Sequence, residues 1–212
     1  VAEPAQKAVE VIRDSSVRLT GSASACGTIV TGSGFAIEPD LIVTNAHVVA
    51  GVEDLVVRVR PQQSAQRATV VYFDPDVDIA LVRTQKLQAR PVRLARTSLE
   101  SQDPAVVAGF PRGERFEAAS VRVRTRVNAR GESIYGETGV ERDVYVLRGS
   151  VEQGMSGGAL TDELGEVFGM VFASGFEDQA TAYALTVDEV RSAIDAAGNA
   201  DTRVGNGSCE LR

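Results

Sequence analysis

Apolar positions recur at two different spacings along the chain. Near each end they fall on one face of a helix, which predicts helices over residues 4–14 (Ala5, Ala8, Val9, Ile12) and 187–197 (Val190, Ile194). Between these helices, short runs rich in Val, Ile, Thr and Phe are separated by Gly, Pro, Asp and Asn, a pattern typical of strands and turns. The runs are residues 17–20, 27–30, 34–37, 41–44, 55–59, 68–73, 79–83, 105–108, 119–127, 144–147, 158–161, 167–173 and 181–185.

These runs predict an all-β fold made of two sets of about six strands, which separate near residues 109–113 (GFPRG). Two packed barrels or sandwiches fit this pattern better than a single sheet. Residues 129–143 are polar and contain glycine, so we expect a long mobile loop there. The predicted organisation is a helical extension over 1–16, a first β unit over 17–111, a second β unit with the closing helix over 112–198, and a tail over 199–212.

Composition and charge exclude several classes of protein. The chain of 212 residues has 22 basic and 29 acidic side chains, a net charge of −7, whereas nucleic-acid binders normally carry a basic excess. A hydrophobic content of 43% argues against global disorder. No apolar run reaches the roughly 18 residues that a membrane span requires. One histidine and two cysteines cannot form the usual four-ligand zinc site, and we expect neither a metal nor a cofactor.

The two cysteines, Cys26 and Cys209, lie near opposite ends of the chain. They are either buried reduced thiols or a disulfide that closes a loop of nearly the whole sequence. Cys209 sits in a polar tail, where a lone cysteine has little packing role, and this favours the disulfide. Such a bridge contributes roughly 4–5 kcal/mol in the loop-entropy model, and it implies an oxidising compartment. The chain starts at Val1 without signal-peptide features, so we expect a mature or excised piece whose signal or anchor has been removed.

Three residues are candidates for nucleophilic catalysis. Ser156 lies among glycines at residues 154–158 (GMSGG), His47 ends an apolar run, and Asp78 opens another. A serine hydroxyl becomes a nucleophile when an imidazole accepts its proton, and a carboxylate orients that imidazole. The backbone N–H groups of Gly154 and Ser156 would then hold the oxyanion. The G-x-S-x-G pattern also occurs in α/β-hydrolases, but there the histidine follows the serine, which excludes that family.

Each of these residues also has a structural interpretation when it is taken alone. A lone histidine in an apolar context is usually a core residue, an aspartate before a strand is often a turn residue, and a Gly-Ser-Gly segment is often only a turn. The order His, Asp, Ser and the local contexts together favour the catalytic interpretation.

Five segments carry a family resemblance: TGSGF at 31–35, IVTNAHVV at 42–49, DIALV at 78–82, GMSGGAL at 154–160 and GEVFGMV at 165–171. Together they resemble the trypsin-like serine proteases of the HtrA-type bacterial branch, over about residues 17–196. The resemblance implies two six-stranded β-barrels with the site in their cleft, where the first barrel supplies His47 and Asp78 and the second supplies Ser156. Asp76 is a second candidate for the acid, but the family motif has the acid directly before Ile-Ala, which favours Asp78.

The resemblance also predicts the substrate-binding residues. Counting back six residues from the nucleophile gives Ser150 as the floor of the S1 pocket, and because serine is neutral we expect an uncharged residue before the cleaved bond. Phe172, Ala173 and Ser174 would pair with the substrate backbone by strand addition. Met155 replaces the aspartate with which trypsin orders its oxyanion hole, so another element must order it here, and the proposed disulfide is one candidate.

More narrowly, the chain resembles membrane-anchored members of this branch that act in acid resistance. This implies a soluble extracytoplasmic domain, in the periplasm or cell envelope, with the native anchor N-terminal to it. HtrA enzymes usually carry a following PDZ domain, for which this sequence has no room, so we expect a monomer. The favoured function is a stress-related serine endopeptidase acting on polypeptides. The alternatives are an inactive peptide-binding relative, or a structural or adhesion domain in which His47, Asp78 and Ser156 are incidental.

Overall fold

The computed structural model describes residues 3–85, 87, 89–174 and 180–209, without the side chains of Cys26, Ala173 and Ser174. Within these residues, twelve strands close into two antiparallel barrels of six strands each. The prediction of an all-β fold with a helix near each end is therefore confirmed.

The first barrel contains strands β1 to β6 in the order β1-β2-β3-β6-β5-β4, and β4 closes onto β1. Its interior is filled by aliphatic side chains that alternate with outward-facing residues, such as Leu19, Ile42, Val57 and Val82. A short helix, α2, follows β3. The bounds are β1 Ser16–Ala23, β2 Thr28–Ala36, β3 Leu41–Thr44, α2 Ala46–Val49, β4 Asp54–Arg58, β5 Gln66–Asp74 and β6 Ile79–Thr84.

The second barrel has the order β10-β11-β12-β9-β8-β7, and its interior includes Val107, Tyr145, Leu147 and Leu160. Its bounds are β7 Pro104–Gly109, β8 Glu117–Glu132, β9 Thr138–Arg148, β10 Ala159–Thr161, β11 Val167–Ser174 and β12 Thr181–Thr186. The barrel therefore begins at β7, and the predicted division at residue 111 is wrong. Gly109 ends β7, and residues 110–116 connect β7 to β8. Since β7 pairs with both β8 and β10, this connection lies within the second barrel. The connection between the barrels is the segment between β6 and β7.

The prediction of a long mobile loop over 129–143 is also wrong. Strands β8 and β9 continue as one hairpin through this segment, with pairs such as Arg130↔Glu141. No residue of 124–132 or 138–143 is buried, so this part of the hairpin lacks the alternation that marks a half-buried strand. Only its tip, residues 133–137, forms a turn, and there Ile134 is buried against Ala46 and Ala50 of the first barrel.

A third cluster of buried side chains lies between the two barrels. It joins Phe35 and Leu81 of the first barrel to Met170 and Leu185 of the second, together with Ile12 of helix α1 (Gln6–Arg13). Helix α3 (Val187–Ala197) follows β12 and contacts both barrels. Among the described residues, no helix is long and apolar enough to cross a membrane.

Candidate active site

His47 lies on helix α2, directly after the buried strand β3. Asn45 ends the extended segment with φ −77° and ψ 149°, and the chain then turns into the helix. The Asn45 side chain is fully buried, and its Nδ2 donates to the carbonyl of Asp78 at 2.9 Å. The imidazole of His47 is 20% exposed. The histidine is therefore held close to Asp78 while part of its ring reaches solvent.

Asp78 contacts the histidine through both carboxylate oxygens. Its Oδ1 accepts the backbone N–H of His47 at 2.9 Å, and its Oδ2 lies 2.8 Å from Nδ1 of the ring. The residue is 4% exposed, and its φ of 69° is in the left-handed region, which Asp tolerates better than most residues. When Nδ1 donates to Oδ2, Nε2 at the other edge of the ring is the proton acceptor.

Asp76, the second candidate for the acid, is exposed, and no described contact joins its side chain to His47. Its backbone N–H donates to Oδ1 of Asp74, which helps to shape the loop before Asp78. Tyr72 donates to the other oxygen of Asp74 at 3.3 Å. Burial, together with the nearby Asp74 carboxylate, raises the pKa of Tyr72, so its hydroxyl remains a donor at neutral pH.

Ser156 lies in a tight turn that is shaped by the glycines on either side. Gly154 has φ 94° and Gly157 has φ 85°, both in the region that favours glycine. A Cβ at Gly157 would lie 2.0 Å from the carbonyl oxygen of Ser33, so no larger residue fits there. Met155, by contrast, is buried in the core of the second barrel.

His47 and Ser156 line the same cleft, a cavity of about 520 Å³ that also includes Gly154 and Gln153. Within the described part of the chain, no protein acceptor takes the backbone N–H of Gly154 or Ser156, whereas Met155 N–H donates to Glu152. His47, Ser156 and Gly154 therefore line one cleft, and the backbone N–H groups of Gly154 and Ser156 have no described protein acceptor. The same described residues contain no group of His, Cys, Asp and Glu that could hold a metal ion.

The residues predicted to bind substrate lie in two places, with Ser150 after β9 and the other three on β11. Ser150 is exposed in the turn after β9. Phe172 lies on β11, half-buried, with its ring 6.4 Å from that of Tyr183 and 5.7 Å from the guanidinium of Arg142. Ala173 and Ser174 continue β11 and pair with β12, but their side chains lie outside the described structure.

The predicted Cys26–Cys209 pairing also falls partly outside the described residues, because the Cys26 side chain is not described, and it stays a prediction. Cys209 itself lines the cleft, as does Ala25, the neighbour of Cys26. The tail that leads to Cys209 is fixed on the first barrel by Asn206. Its Nδ2 donates to the carbonyl of Val49 at 2.6 Å, at the end of the helix of His47, and to the carbonyl of Val52 at 2.8 Å.

Several residues that support this site were not predicted from the sequence. Asn45 was the most accessible to prediction, since it is a polar residue between the apolar run that begins at Leu41 and the predicted catalytic His47. Asn206 and Ile134 contact the helix of His47 from segments distant in sequence, and no local pattern marks them.

Comparison with known proteins places this geometry in a family. A model described as the trypsin-like peptidase domain matches residues 32–170, more than half of the chain. The chain belongs to the trypsin-like peptidase family. The predicted resemblance to the trypsin-like serine proteases is thereby confirmed.

Two relatives extend this assignment. Serine protease Rv3671c of Mycobacterium tuberculosis is 39% identical over 202 residues, which cover 95% of this chain and 50% of that protein. The chain thus spans about half the length of this curated relative. The mitochondrial serine protease HTRA2 of Bos taurus is 36% identical over 146 residues, 67% of this chain and 31% of that protein. The HtrA-type character of this trypsin-like peptidase is therefore confirmed as well.

Solved structures agree with the fold. The crystal structure of the Rv3671c protease in its active form has a TM-score of 0.93 at 37% identity, covering 99% of this chain and 92% of that one. The inactive form of the same protease has a TM-score of 0.80 at 36% identity, covering 92% and 96%. This trypsin-like peptidase therefore has the chymotrypsin-like fold of two six-stranded barrels.

Proposed function

We propose that this chain is a serine endopeptidase that cleaves polypeptides through an acyl-enzyme intermediate. The observation that carries the proposal is the position of His47, whose ring contacts Asp78 through Nδ1 and lines one cleft with Ser156. The greater similarity to the active form of the Rv3671c protease than to its inactive form supports an active conformation.

The chemistry follows from the roles of these groups. Ser156 Oγ attacks the carbonyl carbon of the peptide bond while His47 Nε2 accepts the hydroxyl proton, and Asp78 stabilises the resulting imidazolium. The N–H groups of Gly154 and Ser156 bind the oxyanion of the tetrahedral intermediate. His47 then donates the proton to the leaving amine, and the C–N bond breaks to leave an ester on Ser156. Water, deprotonated by His47, cleaves that ester and restores the hydroxyl.

Substrate selection is part of the same proposal. If Ser150 forms the floor of the S1 pocket, as the resemblance implies, an uncharged residue is favoured before the cleaved bond, since a basic residue would need a carboxylate partner there. The edge of β11 at Phe172, Ala173 and Ser174 would pair with the substrate backbone. The monomeric state is part of this proposal too.

We further propose an extracytoplasmic location, with a membrane anchor N-terminal to this domain and a role under acid stress. The Cys26–Cys209 disulfide belongs to this proposal, because disulfides persist in oxidising compartments. Two observations support it: Cys209 and Ala25 line one cleft, and no free thiol occurs among the described residues. A non-reducing digest analysed by mass spectrometry tests the pairing directly.

Labelling with a fluorophosphonate probe tests the catalytic proposal. The wild type should label and cleave fluorogenic peptides, whereas Ser156→Ala should lose both activities and keep its fold. Ser192→Ala is the matched control, because that exposed hydroxyl lies on α3 and donates to the carbonyl of Asp188 in the same helix. A folded wild type that stays unlabelled and inactive would favour the peptide-binding alternative and contradict the proposal.

A further inference from the structure

Ser33 lies where the two barrels meet beside the nucleophile. The residue is on β2 of the first barrel and is fully buried. Its Oγ donates to the carbonyl of Gly154 at 2.7 Å and accepts the backbone N–H of Phe110 at 2.8 Å. Both partners come from the half of the chain that builds the second barrel. A buried hydroxyl that both donates and accepts has a fixed orientation.

Main-chain hydrogen bonds of Ser33 link the strand that precedes His47 to the turn that carries Ser156. Its N–H donates to the carbonyl of Ser156 at 2.8 Å. Its own carbonyl accepts the hydroxyl of Thr44 at 2.7 Å, and Thr44 ends β3 three residues before His47. A single residue thus joins the strand that leads to the imidazole with the turn that carries the nucleophile.

The two peptide groups that flank Gly154 are both held from outside their own loop. The carbonyl of Gln153 accepts the N–H of Arg112 at 2.7 Å, and the carbonyl of Gly154 accepts Ser33 Oγ. Because a trans peptide directs its N–H opposite to its carbonyl, the Gly154 N–H points away from Arg112. A Cβ at Gly154 would lie 2.6 Å from the Arg112 nitrogen, which shows how closely the segments pack.

We propose that Ser33 is a positioning residue that keeps the Gly154 turn in the orientation needed to bind an oxyanion. The proposal rests on the proposed function. Since the oxyanion forms only in the transition state, misorientation of the Gly154 amide should reduce kcat and leave substrate binding nearly unchanged. Met155 gives this chain no carboxylate at the position trypsin uses for that purpose, and the Ser33 hydroxyl supplies a hydrogen bond to the adjacent carbonyl instead.

The test compares Ser33→Ala with Ser33→Cys and with Ser16→Ala as a matched control. Ser16 has an equally buried hydroxyl, which bonds the carbonyl of Ile12 at 3.0 Å, away from the Gly154 turn. Complete loss of an oxyanion donor typically costs about 10²–10³ in kcat, so we expect a decrease of about 10- to 100-fold for S33A. Its KM should stay within about threefold, and its affinity for a peptide boronic acid should fall in parallel with kcat.

A thiol is a weaker donor than a hydroxyl, so Ser33→Cys should have a kcat between those of the wild type and S33A. Ser16→Ala should lose comparable thermal stability and keep its kcat. If S33A and S16A have equal kcat, or if S33A changes only KM, Ser33 has a structural role alone. Should S33A fail to fold, a fully active S33C would overturn the proposal equally. An inactive wild type would instead contradict the proposed function, which separates the two failures.

Discussion

The carboxylate of Asp78 offers the most direct test of the proposed catalytic roles of His47, Asp78 and Ser156, through Asp78→Asn. The φ of 69° at this residue is one that Asn adopts readily, so the substitution should preserve the backbone. The Asn oxygen can replace Oδ1 as acceptor of the His47 backbone N–H, which lies 2.9 Å away. The Asn amide nitrogen then faces Nδ1 in the place of Oδ2. The fold is therefore expected to survive while the hydrogen bond to the ring reverses its direction.

The expected loss in kcat follows from the reversed direction of this hydrogen bond. With an amide donor at 2.8 Å, Nδ1 must be the acceptor, and the ring proton moves to Nε2. Nε2 then cannot accept the proton of Ser156. A histidine in the wrong tautomer typically costs about 10⁴ in kcat, which corresponds to about 5.5 kcal/mol of transition-state stabilisation. By contrast, the unfolding temperature should change by only a few degrees, because the shape and one hydrogen bond are retained.

The assay measures kcat/KM on a fluorogenic peptide, the rate of fluorophosphonate labelling and the midpoint of thermal unfolding. Asp76→Asn is the matched control, because Asp76 is exposed and lies two residues away. It should keep kcat/KM within about threefold of the wild type. An Asp78→Asn enzyme within tenfold of the wild type, or an equally impaired Asp76→Asn enzyme, would refute the assignment of the acid.

Three further predictions concern other parts of the site. The Cys26–Cys209 disulfide should contribute roughly 4–5 kcal/mol to stability. Reduction of the protein, or Cys209→Ser, should therefore lower both the unfolding midpoint and kcat/KM. An unchanged unfolding midpoint and an unchanged kcat/KM would exclude the disulfide. Gly157→Ala should abolish fluorophosphonate labelling and lower the unfolding midpoint, because the new Cβ would lie 2.0 Å from the Ser33 carbonyl oxygen. Gly205→Ala is the control and should behave as the wild type, since a Cβ there would have no other atom within 4 Å. A labelled Gly157→Ala enzyme would contradict this geometry. Peptides with an uncharged residue before the cleaved bond should be cut at least about tenfold faster than those with Arg, and the opposite preference would show that Ser150 is not the floor of the pocket.

The sequence was informative where chemistry is encoded in short segments. His47, Asp78 and Ser156 each lie in a motif of a few residues, so their types and order could be interpreted before their positions were known. Ser33 could not be interpreted in this way. Its Oγ bonds a carbonyl 121 residues away, and only the packing of one barrel on the other makes that contact.

The errors in the predicted fold have physical causes. The segment at 109–113 contains Gly and Pro, which suit a linker and a tight turn equally, and only the pairing of β7 decides between them. The hairpin of β8 and β9 is held largely by main-chain hydrogen bonds, which leave little trace in residue type. Sequence periodicity reports which faces are buried, and over residues 124–143 the hairpin buries only Ser133 and Ile134, at its tip.

Each terminal segment of the described chain packs against the barrel that is more distant from it in sequence. Helix α1 precedes the first barrel but packs on the second, where Val11 lies against Gly165. The C-terminal tail follows the second barrel but returns to the first, where Val204 N–H donates to Val70 at 2.9 Å. Unfolding of one barrel must therefore break the contacts that α1 or the C-terminal tail makes with the other barrel, so we expect one cooperative unfolding transition. From this arrangement we infer that few partly unfolded segments are offered to neighbouring copies of the protease, and we therefore expect it to resist self-digestion.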